Sequence, residues 1–228
     1  MNFTWKQLES SSSHQGDEAE NGNPGGHIIL AHGFGAHAGD LAPLAQNARG
    51  NARWLFPQAP VTLQPGSYAW FPSTARDMQR VFDGEYFHQL EDMSIPELGD
   101  RADQLVEDVE ELGIPWENTI LGGFSQGSML ALRAALEHRL PLKGLILLSS
   151  AAVDRSRLSH LLDQEYRVPV FISHGNADPV LPFPGGTRLK ELLESGEWDV
   201  QFREFAGGHG IPPEVETDMV GFIGDLLR

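Results

Sequence analysis

Ser125 lies in the segment Gly123-Phe124-Ser125-Gln126-Gly127, between an apolar run and an apolar, helix-forming run. This is the G-x-S-x-G pattern with a predicted strand before it and a predicted helix after it. A sharp strand-to-helix turn forces strained backbone angles on the serine, and flanking glycines relieve the crowding. The pattern predicts a nucleophile exposed above a sheet. A plain glycine-rich turn with a serine N-cap is the alternative.

A serine hydroxyl needs a general base, and at such an elbow the chain order is serine, acid, histidine. Four histidines follow Ser125: His138, His160, His174 and His209. His209 lies in "AGGHGIPPE", between the last predicted strand and the last predicted helix, where glycines let the ring reach back over the sheet. The other three lie on an exposed helix end, in an irregular stretch and before the best acid. His209 is therefore the predicted base.

The acid is expected to leave a strand between the serine and the histidine. Asp178 does so, directly after the predicted strand "VPVFISHG". Asp154 leaves the preceding strand and is the rival. The carboxylates of Glu165, Glu191 and Glu194 lie in helical or irregular segments and are poorly aimed.

Acyl transfer also needs N–H donors for the developing oxyanion. One is predicted to be the backbone N–H of Gln126, directly after the nucleophile. The second is predicted to be the N–H of Phe34, in the glycine-containing segment His32-Gly33-Phe34-Gly35 after an early strand. We interpret His32 as a structural histidine that braces this loop.

The same loop matches the dinucleotide fingerprint G-x-G-x-x-A over residues 33–38. That interpretation requires an acidic residue at the end of the next strand, which instead ends in "LFPQAP". No phosphate-binding G-x-x-x-x-G-K-[ST] is present, and no H-E-x-x-H spacing suggests a metal site. The sequence therefore predicts chemistry with no cofactor and no metal.

Short apolar runs alternate with helical patterns after Gly26, which predicts a mainly parallel sheet with helices on both faces. We expect one α/β domain over residues 1–228, with a short first strand at residues 3–8 and a mobile loop at 9–26. The predicted later strands are 27–32, 52–57, 118–124, 142–150, 168–175 and 199–205. The predicted helices are 40–48, 96–113, 126–139, 186–195 and 212–227, and an irregular stretch extends to about residue 167.

The composition is acidic: 32 Asp and Glu against 16 Lys and Arg give a net charge of −16. This charge disfavours nucleic acid and stable association with anionic membranes. It suggests either adaptation to salt or compositional drift. Without cysteine, neither disulfides nor thiolate catalysis is available. The first residues do not have a signal-peptide pattern, so we expect a cytoplasmic protein.

Several segments together resemble the carboxylesterase/acyl-protein thioesterase branch of the α/β-hydrolases, the phospholipase/carboxylesterase family. The resemblance covers about residues 26–228. It rests on "LAHGFGAHAGDLAPLA", "FPQAPVTLQPGSYAWF", "GIPWENTILGGFSQGSMLAL", "HGNADPVLP" and "GGHGIPPE". The second block is the most specific. The resemblance implies an α/β-hydrolase fold, a Ser125–Asp178–His209 triad and an oxyanion hole at Phe34 and Gln126.

The chain departs from the family pattern at several positions. Phe34 stands where the family often has an aliphatic residue, Ser128 stands for a second glycine, and Pro72 stands where an acid usually follows the Trp-aromatic pair. An aromatic ring at residue 34 is expected to narrow the acyl cleft. Residues 73–100 match no pattern we can name, and form either a small flap or a surface connection.

The sequence therefore predicts a serine esterase, with thioesters as a second substrate class, acting on short to medium acyl chains of small molecules. Tyr68, Trp70 and Phe71 are expected to line the substrate groove, although core aromatics have the same sequence pattern. The alternatives are a non-catalytic ligand-binding protein on the same fold and an amide or peptide hydrolase with the same triad. We expect a monomer or a weak homodimer.

Overall fold

The computed structural model describes residues 3–9, 25–48, 51–71, 90–162 and 165–228. Seven described strands form one sheet in the order β1-β3-β2-β6-β7-β8-β9, and β4 and β5 form a separate hairpin. The strands are β1 (Thr4–Glu9), β2 (Gly26–Ala31), β3 (Ala52–Gln58), β4 (Val61–Gln64), β5 (Ser67–Ala69), β6 (Thr119–Phe124), β7 (Gly144–Leu148), β8 (Val170–Gly175) and β9 (Val200–Phe205).

Strand direction and burial follow from the apolar runs. β1 pairs antiparallel with β3, and all other neighbours in the sheet pair parallel. Every residue of β2, β7 and β8 is buried, because helices cover both faces of a parallel sheet. The two edge strands, β1 and β9, expose much more of their length.

Helices divide between the two faces of the sheet. They are α1 (Pro43–Asn47), α2 (Pro96–Glu111), α3 (Gln126–His138), α4 (Arg155–Leu162), α5 (Phe183–Ser195) and α6 (Pro213–Leu226). The apolar residues of α2, α3, α4 and α5 pack into one core cluster, and those of α1 and α6 into a second. This is the predicted α/β-hydrolase architecture.

Two elements differ from the sequence prediction. The stretch predicted to be irregular contains α4, whose Leu158, Leu161 and Leu162 are buried. Their i, i+3, i+4 spacing is a helical signal that the short length of the element obscured. The β4–β5 hairpin, turned at Gly66 with φ +79°, was not predicted either.

The helical spacing of α2 would place Leu112 on the same face as the buried Leu98, Leu105 and Val109, but 38% of Leu112 is exposed. The helix ends at Glu111, and the chain turns at Gly113, which has φ +67°.

Two predicted segments fall largely outside the described residues. Most of the loop expected at 9–26 does so, although Glu9 is the last residue of β1 and Gly26 the first of β2. The segment 73–100 is described only from residue 90, and its end forms the first turn of α2. In the described parts of the chain, none of the helices has the length and apolarity needed to span a membrane.

Candidate active site

Ser125 lies at a tight corner between β6 and α3, with φ +54° and ψ −118°. This left-handed backbone is strained for a residue other than glycine. A Cβ placed on Gly127 would lie 2.1 Å from the Ala31 carbonyl oxygen, and one on Gly123 would lie 2.4 Å from the Gly127 backbone. Both glycines of the motif are therefore required by close backbone approach, as the sequence pattern predicted.

His209 and Asp178 meet above the carboxyl ends of β9 and β8. His209 Nδ1 lies 2.7 Å from Asp178 Oδ2. The His209 ring packs on the Phe124 ring, with their centroids 4.8 Å apart. Because Phe124 directly precedes Ser125, this packing brings the histidine to the elbow.

The Asp178 carboxylate is fully buried, and every oxygen has a donor. Oδ1 accepts the backbone N–H groups of Val180 and Leu181, each at 2.8 Å, and Oδ2 faces His209. Burial alone would raise the pKa of Asp178, but the hydrogen bond and charge of His209 and the two N–H groups lower the pKa below its usual value. An ionised carboxylate accepts from Nδ1–H, which leaves His209 Nε2 as a free base.

Ser125 and His209, the predicted nucleophile and base, are not hydrogen-bonded to each other in this conformation. Among the residues that the structure describes, Ser125 Oγ makes no hydrogen bond, to His209 or to any other side chain. Such bonds are often long before substrate binds and tighten in the reacting complex.

Asp154, the rival acid, has a different role. Its Oδ1 accepts the Arg157 N–H at 3.2 Å, which caps α4, and its Oδ2 lies 3.7 Å from the Arg133 guanidinium. Of the other histidines, His138 pairs with Asp103 at the surface. These contacts leave Asp178 as the acid that the structure brings to His209.

The loop after β2 passes beside the nucleophile. A Cβ on Gly33 would lie 3.4 Å from Ser125 Cβ, and the Gly35 N–H donates to the Tyr68 carbonyl at 2.8 Å. Phe34, half-buried between these glycines, and Gln126, the first residue of α3, are thus near the elbow.

His32 braces this loop from below. Its Nε2 accepts the Ala59 N–H at 3.1 Å, so the proton is on Nδ1, which donates to the Gly33 carbonyl at 2.8 Å. Burial lowers the pKa of His32, and the bond to Gly33 offsets this only in part. A buried neutral histidine with both nitrogens bonded is structural, as its position in the sequence suggested.

The side chain of Gln126 has a role that the sequence analysis missed. Its Oε1 accepts the Trp70 N–H at 2.8 Å, and its Nε2 donates to the Phe71 carbonyl at 3.0 Å. The Trp70 indole N–H also donates to the His32 carbonyl at 2.7 Å. The chain leaving the β4–β5 hairpin is therefore bound to the elbow and to the loop after β2.

The aromatic residues expected in the substrate groove differ in exposure. Trp70 is 0% exposed and packs edge-on against Phe3 at 5.3 Å, and Phe71 is 3% exposed. Tyr68 is half-buried on the hairpin. The two buried rings have a packing role in this structure, and a place for the three residues in a substrate groove stays a prediction.

Comparison with known proteins gives a consistent set of relatives. Acyl-protein thioesterase 1 of Aspergillus fumigatus is 27% identical over 215 residues, covering 88% of this chain and 87% of that protein. The corresponding protein of Debaryomyces hansenii is 26% identical over 220 residues, covering 88% and 91%.

Solved structures support the same fold. Esterase PE8 is 24% identical, with a TM-score of 0.79 over 99% of this chain and all of that one. Acyl-protein thioesterase 2 of Zea mays is 20% identical, with a TM-score of 0.70 over 98% and 99%. The family model described as phospholipase/carboxylesterase matches residues 18–227. Because that match spans nearly the whole chain, the chain belongs to the phospholipase/carboxylesterase family of the α/β hydrolases.

Proposed function

We propose that this esterase works through an acyl-enzyme formed on Ser125, with His209 as general base and Asp178 as the orienting acid. The observation that carries the proposal is the 2.7 Å contact between His209 and a fully buried Asp178, next to a serine at φ +54°. The substrates are carboxylic esters, with thioesters as a second class.

Each residue has one task in the reaction. As Ser125 Oγ attacks the acyl carbon, His209 Nε2 takes its proton and then gives it to the leaving alcohol or thiol. The N–H groups of Phe34 and Gln126 stabilise the oxyanion. A water molecule, deprotonated by the same histidine, then cleaves the acyl-enzyme and restores the free serine.

We further propose that the site prefers short to medium acyl chains. Phe34 is half-buried in the loop that passes the nucleophile, and a ring there occupies more space than an aliphatic side chain. Forcing a chain past a rigid ring costs about 1 to 3 kcal/mol, and each methylene that fits gains about 0.8 kcal/mol. We also propose that the enzyme is cytoplasmic and that it is a monomer or a weak homodimer.

The test is a series of kcat/KM values for p-nitrophenyl esters from acetate to palmitate, with one acyl thioester and one matched anilide. We expect the optimum at about two to eight carbons and little anilide turnover. Ser125→Ala should lose activity by about 10⁴-fold to 10⁶-fold and should not react with a fluorophosphonate probe.

Three results would contradict the proposal. Turnover by Ser125→Ala above a few per cent of wild type would show that Ser125 is not the nucleophile. Efficient cleavage of the anilide would favour the amide or peptide hydrolase. A folded wild-type protein that neither turns over nor labels would favour the non-catalytic binding protein.

A further inference from the structure

A second histidine, His174, lies against the acid of the triad. It is fully buried near the end of β8, four residues before Asp178. Its Nε2 lies 2.6 Å from the Leu181 carbonyl oxygen and 3.5 Å from Asp178 Oδ2. His174 therefore contacts both ends of the turn that carries the acid.

The contacts of His174 fix its protonation state. A carbonyl oxygen only accepts, so the proton is on Nε2 and points to Leu181. Nδ1 is buried and has no partner among the described residues. A proton there would be an unpaired buried donor, so the ring is neutral, and burial correspondingly lowers the pKa of His174.

The ring also fits closely against α5. A Cβ on Gly186 would lie 2.4 Å from His174 Nδ1, and the Phe183 ring meets the imidazole edge-on with centroids 6.2 Å apart. The first turn of α5 therefore packs directly against this ring, and a side chain at residue 186 would displace the ring.

These contacts link α5 to the acid turn. The Val180 and Leu181 N–H groups hold Asp178 Oδ1, and the carbonyl of Leu181 is held in turn by His174. If Leu181 moved, the carboxylate would lose a donor and its alignment with His209. The titratable groups that face His174 here are Asp178 directly and His209 beyond it.

We propose that His174 is a positioning residue for the triad: its Nε2–H holds the Asp178–Leu181 turn and places a second N–H dipole at Asp178 Oδ2, beside the His209 bond. This rests on the proposed function, because it assigns Asp178 the task of orienting His209. A neutral ring suits the role, since it stabilises the carboxylate without competing as a cation with protonated His209.

The test compares three variants by kcat per active site, counted by fluorophosphonate titration carried to completion, and by the pH profile of kcat/KM. In His174→Gln the amide nitrogen can reach the position of Nε2, and in His174→Asn it ends near Nδ1. Gly186→Ala keeps the histidine and displaces its ring. His138→Asn, at the exposed His138–Asp103 pair, is the control.

We expect His174→Gln to keep kcat within about three-fold of wild type. His174→Asn and Gly186→Ala should lose about ten-fold or more in kcat, with KM within about two-fold. The acidic limb of the kcat/KM profile of these two variants should move to lower pH, because a misaligned carboxylate stabilises protonated His209 less well. A variant that is merely less stable would lower the number of titrated sites and leave the limb in place.

The inference is wrong if His174→Asn and Gly186→Ala keep kcat within two-fold, if the acidic limb does not move, or if His174→Gln loses as much as His174→Asn. If His174→Asn does not fold, the comparison of His174→Gln with Gly186→Ala decides by the same criteria. Turnover by Ser125→Ala would overturn the proposed function instead. An inactive Ser125→Ala with unaffected His174 variants would overturn this inference alone.

Discussion

A fully buried carboxylate is costly unless its oxygens are bonded, and Asp178 meets this condition with two backbone N–H groups and an imidazole. Its negative charge is therefore available to hold His209 in one tautomer. Asp154 instead accepts a backbone N–H at the start of a helix and lies near an arginine. The two aspartates differ in what surrounds them rather than in residue type.

Asp178→Asn should therefore lower kcat/KM far more than Asp154→Asn. The amide favours the wrong tautomer of His209, an effect on the order of 10⁴ in another Ser-His-Asp enzyme. Asp154→Asn should leave activity and stability close to wild type, because Asn caps a helix about as well as Asp. Ester hydrolysis and urea unfolding of both variants measure this. An Asp154→Asn variant that is the less active of the two would reverse the assignment.

The order of residues along the chain narrowed the candidates to Ser125, to Asp178 or Asp154, and to His209, which follow β6, β8 or β7, and β9. The hydrogen bonds that support these residues could not be predicted from the order of residues. Gln126 bonds to residues 55 and 56 positions away, and His174 was noted only as lying before the acid. Such partners are set by tertiary packing, for which the sequence has no local pattern.

At the scale of elements, the β4–β5 hairpin is connected to the site by side-chain and backbone bonds. Tyr68 exchanges backbone bonds with the proposed oxyanion loop, residues 32–37 after β2, donating to Ala36 at 3.0 Å and accepting from Gly35 at 2.8 Å. Gln126 holds the chain that follows the hairpin. One amide side chain therefore joins the first turn of α3 to a hairpin from a distant part of the sequence.

Gln126→Ala should reduce activity although the backbone donor of residue 126 remains. Loss of the amide leaves the Trp70 N–H and the Phe71 carbonyl unpaired in the interior, at about 1 to 3 kcal/mol for each buried group. The oxyanion loop then loses support, and a displacement of about 1 Å can cost about 10²-fold in rate. We expect kcat/KM for p-nitrophenyl acetate to fall at least ten-fold.

Gln104→Ala is the matched control, because Gln104 bonds to Arg101 within α2 and does not contact the site. It should keep wild-type turnover. A fully active Gln126→Ala variant would show that the hairpin contributes nothing to catalysis.

The elements themselves were largely predictable, since central strands buried on both faces have continuous apolar sequences. The errors came where this signal is short. α4 has eight residues and three buried leucines, and β5 has three residues. Elements of this length are fixed by what they pack against, such as the Ala36–Tyr68 bridge in the case of β5.

At the scale of the whole molecule, two fully buried neutral histidines make stability depend on pH. Burial is the main cause that lowers the pKa of His32 and of His174 below 6.5. Between 6.5 and the folded-state pKa the unfolded chain binds protons that the folded chain does not. Stability must therefore fall as pH decreases through this window.

We expect the free energy of unfolding to decrease between pH 7 and pH 5, with a slope of at most about 1.4 kcal/mol per pH unit for each histidine. The lowered pKa of Asp178 does not contribute here, because the stabilisation it gives is lost only below the ordinary aspartate pKa of about 3.8. Asp108, whose pKa is raised mainly by burial, acts in the opposite direction.

Urea unfolding at pH 7.5, 6.5, 5.5 and 5.0 measures the effect, at a constant ionic strength that keeps the screening of charges the same throughout. His138→Asn, at an exposed site, should show the wild-type slope. An unfolding free energy that is constant across this range would mean that the two histidines bind protons as readily in the folded protein as in the unfolded chain.

His209, the proposed general base, follows β9, one of the two edge strands of the sheet. Among the described strands β9 has a neighbour on one side only, and most of its residues are partly exposed, whereas β6 and β8 lie in the interior. An edge strand can separate from its sheet at a lower cost than a central one. On heating, we therefore expect β9 to separate first and to displace His209 while the rest of the sheet stays folded. Inactivation should then begin as a reversible step in which the turn that carries Ser125 remains intact.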